Sequence, residues 1–179
     1  MASSLTQDDL NHRMIEAAFL CDLVRVRELL DAGADPNVRD EEGRTPLHQA
    51  VLGNSLGLIG LLIEHKADVN APDHHGWTPL HFAAQEYLPG LARVLLASGA
   101  DVNACDDEGC SVLWRAVFSS GGRSDLVKLL LESGARADQA NAAGETPKAL
   151  AERLGLPVFE VSLEASRPEK PAGSAHKRA

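Results

Sequence analysis

Seven histidines, three cysteines and a series of acidic turns are the side chains in this 179-residue sequence with the means to do chemistry. His48 and His81 are candidates for general bases or metal ligands. His74 and His75 lie in one turn, and Cys105 and Cys110 flank the next, so two nitrogens and two sulfurs of the kind zinc accepts are available if adjacent turns meet. The spacing between those cysteines is loose for such a site and no other part of the chain repeats it, so ordinary solvent-facing or half-buried side chains are the preferred reading. A Cys105–Cys110 disulfide is geometrically open, but an odd cysteine count is poor material for a disulfide framework. The Asp-x-x-Gly turns lack the alternating oxygen ligands and closing Glu of a calcium loop. No phosphate loop, nucleophile elbow or paired-carboxylate signature occurs. The expectation is a protein that is not an enzyme and has no cofactor or metal.

Composition supports that reading. Hydrophobic residues make up 44% and aromatics only 4%, so the core is built from Leu, Val, Ile and Ala, which favours close-packed helices. The formal net charge is −9, although Arg167, Lys170, Lys177 and Arg178 near the C-terminus face only Glu169, which leaves the rest more acidic still. Such a body repels phosphate backbones, so nucleic acid is excluded as a partner, and a basic protein surface is its complement. The opening MASSLTQDDLNHRM has no secretory character, and no apolar run approaches the ~18–20 residues of a membrane span. A soluble cytoplasmic monomer with reduced thiols is expected.

The positioning elements repeat. GADPN at Gly33, KADVN at Lys66, GADVN at Gly99 and GARAD at Gly134 keep nearly constant spacing. TPLH at Thr45 and Thr78, SVLW at Ser111 and TPKA at Thr146 keep the same period, as do the turns DEEG, DHHG, DDEG and NAAG. Two extra residues in the last step fall near 119–122, which predicts a lengthened turn. Thr45 and Thr78 are N-caps, and Pro46 and Pro79 occupy the first helical position. Ala50, Ala83 and Ala116 mark a small-residue column where helices approach closely. Gly33, Gly99 and Gly134 end a second, Leu-rich helix in the left-handed conformation, and Lys66 in their place predicts a strained or differently shaped cap. Leu29, Leu62, Leu95 and Leu130 form one apolar column, and Val26, Ile59, Ala92 and Val127 another. One helix pair cannot bury these faces, but stacking neighbours can. Arg25 and Glu28 stand where interior units are apolar, which marks an N-terminal cap; Glu160 and Glu164 mark a C-terminal one.

These motifs and their period resemble the ankyrin repeat. The resemblance implies an all-α solenoid of stacked antiparallel helix pairs with short β-hairpin loops and a concave face that binds protein partners. The units run 8–36 (N-terminal cap), 37–69, 70–102, 103–137 and 138–166 (C-terminal cap), between a flexible stretch 1–7 and a disordered tail 167–179. It also implies that His48 and His81 are structural and tie neighbouring repeats through hydrogen bonds. SVLW, TPKA, Lys66 and the insertion depart from the pattern.

Positions the fold does not need are the candidates for partner binding. On the hairpins these are Arg44, His74, His75, Trp77, Asp107, Glu108 and Cys110. On the first helices they are Phe82, Gln85, Tyr87, Trp114 and Arg115. Aromatic and Arg side chains near the array centre suit a binding hot spot. Filling of the inter-repeat core is the other reading for Trp114 and Phe118, and the preferred one for Phe118. The expected function is an adaptor or regulator that grips a protein partner. The alternative is a dedicated inhibitor or immunity protein that blocks a toxin or enzyme.

Overall fold

Proline after a hydroxyl residue starts a helix because its missing N–H is not needed there and its φ is already helical. The computed structural model, which describes residues 6–157 and Phe159, follows that rule at Pro46, Pro79 and Pro147. Among the described residues the helices are α1 (Gln7–Phe19), α2 (Leu23–Asp31), α3 (Pro46–Leu52), α4 (Leu56–Glu64), α5 (Pro79–Gln85), α6 (Pro89–Ala97), α7 (Val112–Ser119), α8 (Asp125–Glu132) and α9 (Pro147–Arg153). The odd-numbered helices pack in one row and α2, α4, α6 and α8 in a second. Thr6 caps α1 reciprocally with Asp9, so the ordered helix already includes Gln7, a residue expected in the flexible stretch. Expectations placed on Glu160, Glu164 and the tail lie outside the described residues.

The small-residue column lets the first row close up. Ala17, Ala50, Ala83, Ala116 and Ala151 are all buried, one per unit. The Leu29–Leu130 and Val26–Val127 columns are buried as expected, whereas Ile63, Leu96 and Leu131 are only partly covered. Arg25 and Glu28 are exposed and pair with each other on the N-terminal cap.

Histidine clips join the second unit to the third and the third to the fourth, and asparagines tie the loops at the two ends of each interior unit. The Thr45 N–H donates to His48 Nδ1 (3.0 Å), which puts the ring proton on Nε2; Nε2 then donates to the Trp77 carbonyl in the next unit (3.0 Å). His81 does the same with Thr78 and, at 3.4 Å, the Cys110 carbonyl. Asn37, Asn70 and Asn103 each accept from a backbone N–H of the following loop: Asp68 (2.7 Å), Asp101 (2.7 Å) and Arg136 (3.0 Å). The hairpins are turns held by side chains more than by strands. Asp40, Asp73, Asp106 and Asn141 each accept two backbone N–H groups through Oδ1, and one isolated bridge, Cys105 to Ser111, is present among the described residues.

Two sets of positive-φ residues turn the chain. Gly33, Gly99 and Gly134 (φ 92–93°) end the second helices, with Lys66 forced to φ 68° at the same place. Cys21, Asn54, Tyr87 and Gly121 (φ 49–56°) join the helices within a unit, and Gly122 (φ 89°) accommodates the insertion. An L-residue in the left-handed region costs about 1 kcal/mol or more. Lys66→Gly is therefore expected to raise stability by about 0.5–1 kcal/mol, read as a higher urea midpoint; an unchanged midpoint would show that the Lys cap is unstrained.

Burial drives the pKa of His48 down and that of His81 to about 4. A histidine held neutral in the fold contributes stability fully above its unfolded pKa and loses it as the unfolded chain gains the proton. The urea midpoint is expected to fall between about pH 6.5 and about pH 4. Asp9, lowered by Thr6, and Glu145, lowered by Arg153, act at the acid end of that window and below it, since depressed carboxyls lose their contribution only near and under their ordinary values. A flat profile across the histidine window would contradict the buried neutral clips.

Candidate partner-binding site

Each hairpin leaves its tip beside the next. The His74 N–H donates to the Glu42 carbonyl (3.0 Å), the Asp107 N–H to the His75 carbonyl (3.0 Å), and the Ala142 N–H to the Glu108 carbonyl (2.8 Å). Close packing enforces the register. A Cβ on Gly76 would meet the backbone of Asp106 and Asp107 at 2.9–3.0 Å, and one on Gly109 would meet the Ala142 nitrogen at 3.0 Å. Tips held this way form a fixed rim above α5 and α7.

Under that rim lies a cleft of about 470 Å³, lined by Arg44, Asp73, His75, Trp77, Phe82, Asp106, Asp107, Glu108 and Arg115. Seven of the twelve residues expected to contact a partner meet here: Arg44, His75, Trp77, Phe82, Asp107, Glu108 and Arg115. Its wall is one continuous stack. The Arg44 guanidinium lies 5.5 Å from the Phe82 ring centre, Phe82 is 5.1 Å from Trp77, and Arg115 sits 4.5 Å over Trp77 and 5.4 Å from Trp114. Trp114 stacks in turn on Phe118 at 5.5 Å. Cations over aromatic faces are attracted by the ring quadrupole, and these rings have few rotamers to lose on binding.

Arg115 is the fixed point of the stack. Its side chain is 14% exposed and pairs with Asp106, 1% exposed, through Nε at 3.1 Å and through Nη2. It also reaches the exposed Glu108 at 3.3 Å. Asp106, Glu108 and Cys110 form a grouping of metal-ligating types among the described residues. Arg115 pairs with both acids, and burial pushes the Cys110 thiol up. His74 and His75 are not brought to Cys105 and Cys110: Cys105 instead accepts from Gln139.

The remaining expected residues sit elsewhere. His74 is exposed and lies over Gly43, closing the gap between two tips. Gln85 ends α5 beyond the cleft. Tyr87 corrects the expectation for that position: it occupies the left-handed turn between α5 and α6, is 4% exposed, and accepts from the Leu126 N–H (3.4 Å) with Arg123 over its ring (3.8 Å). Burial pushes its hydroxyl to about 12. Cys110, 3% exposed, is likewise a hairpin core residue and not a contact. Trp114 is half-buried beside the cleft, its Nε1 buried without a hydrogen-bond partner among the described residues. Phe118, expected in the core, is 53% exposed because the helix register places it outside the Ala116–Val117 contact.

Sequence reasoning missed the inner face of α1. His12, Ile15, Glu16 and Phe19 join Asp40, Glu42, Arg44 and Gln49 around a second cleft, so Arg44 is a wall shared by both. The available signal was the repeat register: Glu16 is equivalent to Gln49, Phe82 and Arg115.

The family described as ankyrin repeats (3 copies) matches residues 14–106. The chain is 48% identical over 40 residues to the Neurogenic locus Notch protein of Drosophila melanogaster, covering 22% of this chain and 2% of the relative. It is 40% identical over 63 residues to the 2-5A-dependent ribonuclease of Mus musculus, covering 35% and 8% respectively. It thus spans a small fraction of the length of these relatives.

Removal of Arg115 leaves a buried carboxylate with no cation. Arg115→Ala is expected to cost about 3 kcal/mol, and Arg115→Gln to recover part of it, since Gln49 holds Asp40 from the same position at 2.9 Å. Chemical denaturation of both variants measures this; an Ala variant as stable as wild type would mean that the ion pair does not anchor the stack.

Proposed function

The chain belongs to the ankyrin-repeat family, whose repeats are generally protein-interaction modules, and on that premise we propose that it acts without catalysis by binding a protein partner in the central cleft and along the hairpin tips. The observation that carries this reading is the Arg44–Phe82–Trp77–Arg115 stack. It gathers two aromatic rings and two guanidinium groups at the middle of the array, on a rim fixed by backbone hydrogen bonds. Aromatic and Arg anchors in a preorganised, half-desolvated cleft are what concentrates binding energy at an interface. Arg44 supports the reading from another side: it is a wall shared by this cleft and the second one beside α1, with its guanidinium against the Phe82 ring.

The role is that of an adaptor or regulator that works by occupying a partner's surface, in a reducing setting that suits its three free thiols. Quantitative affinity capture with wild type, Arg44→Ala and Trp77→Ala tests the site. Truncating an anchor is expected to weaken a specifically captured partner by about 2 kcal/mol, some ~30-fold, while circular dichroism reports the fold intact. Equal recovery by all three forms would place the binding surface outside the cleft.

A further inference from the structure

The repeat register exposes one carboxylate that the fold leaves incomplete. Gln49, Phe82 and Arg115 are equivalent positions in the repeat register, and Phe82 lines the cleft together with Asp73, the turn aspartate of its unit. Gln49 donates to Asp40 Oδ2 at 2.9 Å, and Arg115 donates to Asp106 Oδ2. Phe82 has nothing to donate. Asp73 Oδ1 accepts from the His75 and Trp77 N–H groups (2.8 and 2.9 Å), as in the other turns, but its Oδ2 has no hydrogen-bond or ion-pair partner among the described residues. Asp73 is 7% exposed and lines the cleft, so the vacant oxygen faces the space where a ligand would lie.

We propose that the cleft takes a cationic side chain, an arginine or lysine of a protein partner, which pairs with Asp73 Oδ2 beside the Phe82 and Trp77 rings. This rests on the partner-binding reading and names the chemistry of its central contact. The chain displays the mode of recognition one unit along, where the Arg115 guanidinium pairs with Asp106 Oδ2 while it lies against Trp77 and Trp114. The charge balance agrees. The cleft holds four carboxylates, Asp73, Asp106, Asp107 and Glu108, against two guanidinium groups, and Arg115 is taken up by Asp106 and Glu108, in a protein of net charge −9. A planar guanidinium or an ammonium gains both the charge-assisted hydrogen bond and the ring face.

Titration of the full chain with the peptide acetyl-Ala-Arg-Ala-amide, followed by NMR at the Trp77 indole and the His75 and Trp77 amides, tests this. Acetyl-Ala-norleucine-Ala-amide and acetyl-Ala-Asp-Ala-amide serve as uncharged and opposite-charge probes. The Arg peptide is expected to give saturable shifts, with binding about tenfold weaker for norleucine and for Asp73→Asn. That variant keeps its turn, because Asn141 accepts the same two N–H groups in the last unit (3.0 and 2.9 Å). Phe82→Arg, which supplies the missing donor from within, is expected to abolish the response. Equal shifts from Arg and norleucine, no shifts, or an Asp73→Asn response like wild type would overturn the proposal. Shifts from the Asp peptide alone would also overturn it while leaving the partner-binding reading in place. If a captured partner is lost by Trp77→Ala but held by Asp73→Asn, this inference again fails alone.

Discussion

No unit of this protein can satisfy itself. A pair of short helices exposes as much apolar surface as it covers, and its loops carry backbone groups with no partner of their own. Both deficits are met by the next unit. Ala, Leu and Val columns close the apolar side, His48 and His81 bond forward to Trp77 and Cys110, and the hairpin tips bond to one another, while the loop asparagines bind across their own units. Because these bonds are directional, stacking fixes register as well as proximity. The hairpin tips are then held to one another by backbone hydrogen bonds, and the cleft lies beneath them without a partner to shape it.

The cleft takes its character where the repeat departs from itself. At the equivalent positions 49, 82 and 115 stand an amide, a ring and a guanidinium: Gln49 and Arg115 donate to the turn aspartate of their unit, and Phe82 only lines the cleft with Asp73. Positions 44, 77 and 110 contribute their carbonyls to the clip or the turn whatever their side chains, so Arg44 and Trp77 are free to form a wall. At 48, 81 and 114 the clip histidine gives way to Trp114, which surrenders a hydrogen bond and gains stacking on Arg115 and Phe118. The cleft is assembled from such substitutions on a frame that tolerates them.

The frame was legible because its signals are local and recur. Proline at the first helical position, glycine after the second helix, and alanine at the close approach each act through the backbone of their own unit, so sequence position predicts structural role. The strained Lys66 cap and the lengthened turn at 121–122 were readable for the same reason. Side-chain direction was less so. Tyr87 reads as a first-helix position in the repeat register, but α5 ends before it and a left-handed backbone turns it towards the Leu126 amide. Phe118 looked like core because it is large and apolar, and it is exposed because α7 has already spent its buried face on Leu113, Ala116 and Val117. The forward bonds of the asparagines and the pairing of Arg115 with Asp106 join residues of different elements, and only the assembled stack reveals them.

If stacking is the source of both stability and site, the tips should open only when the stack does. Native-state hydrogen exchange of the His74, Asp107 and Ala142 amides, which bond across units, measures this directly. The account predicts that all three exchange with the same opening free energy as the helix-core amides around Ala83 and Ala116. Rapid, independent exchange at the tips, with the helices still protected, would mean that the hairpins hang free of the array and that no preformed cleft exists.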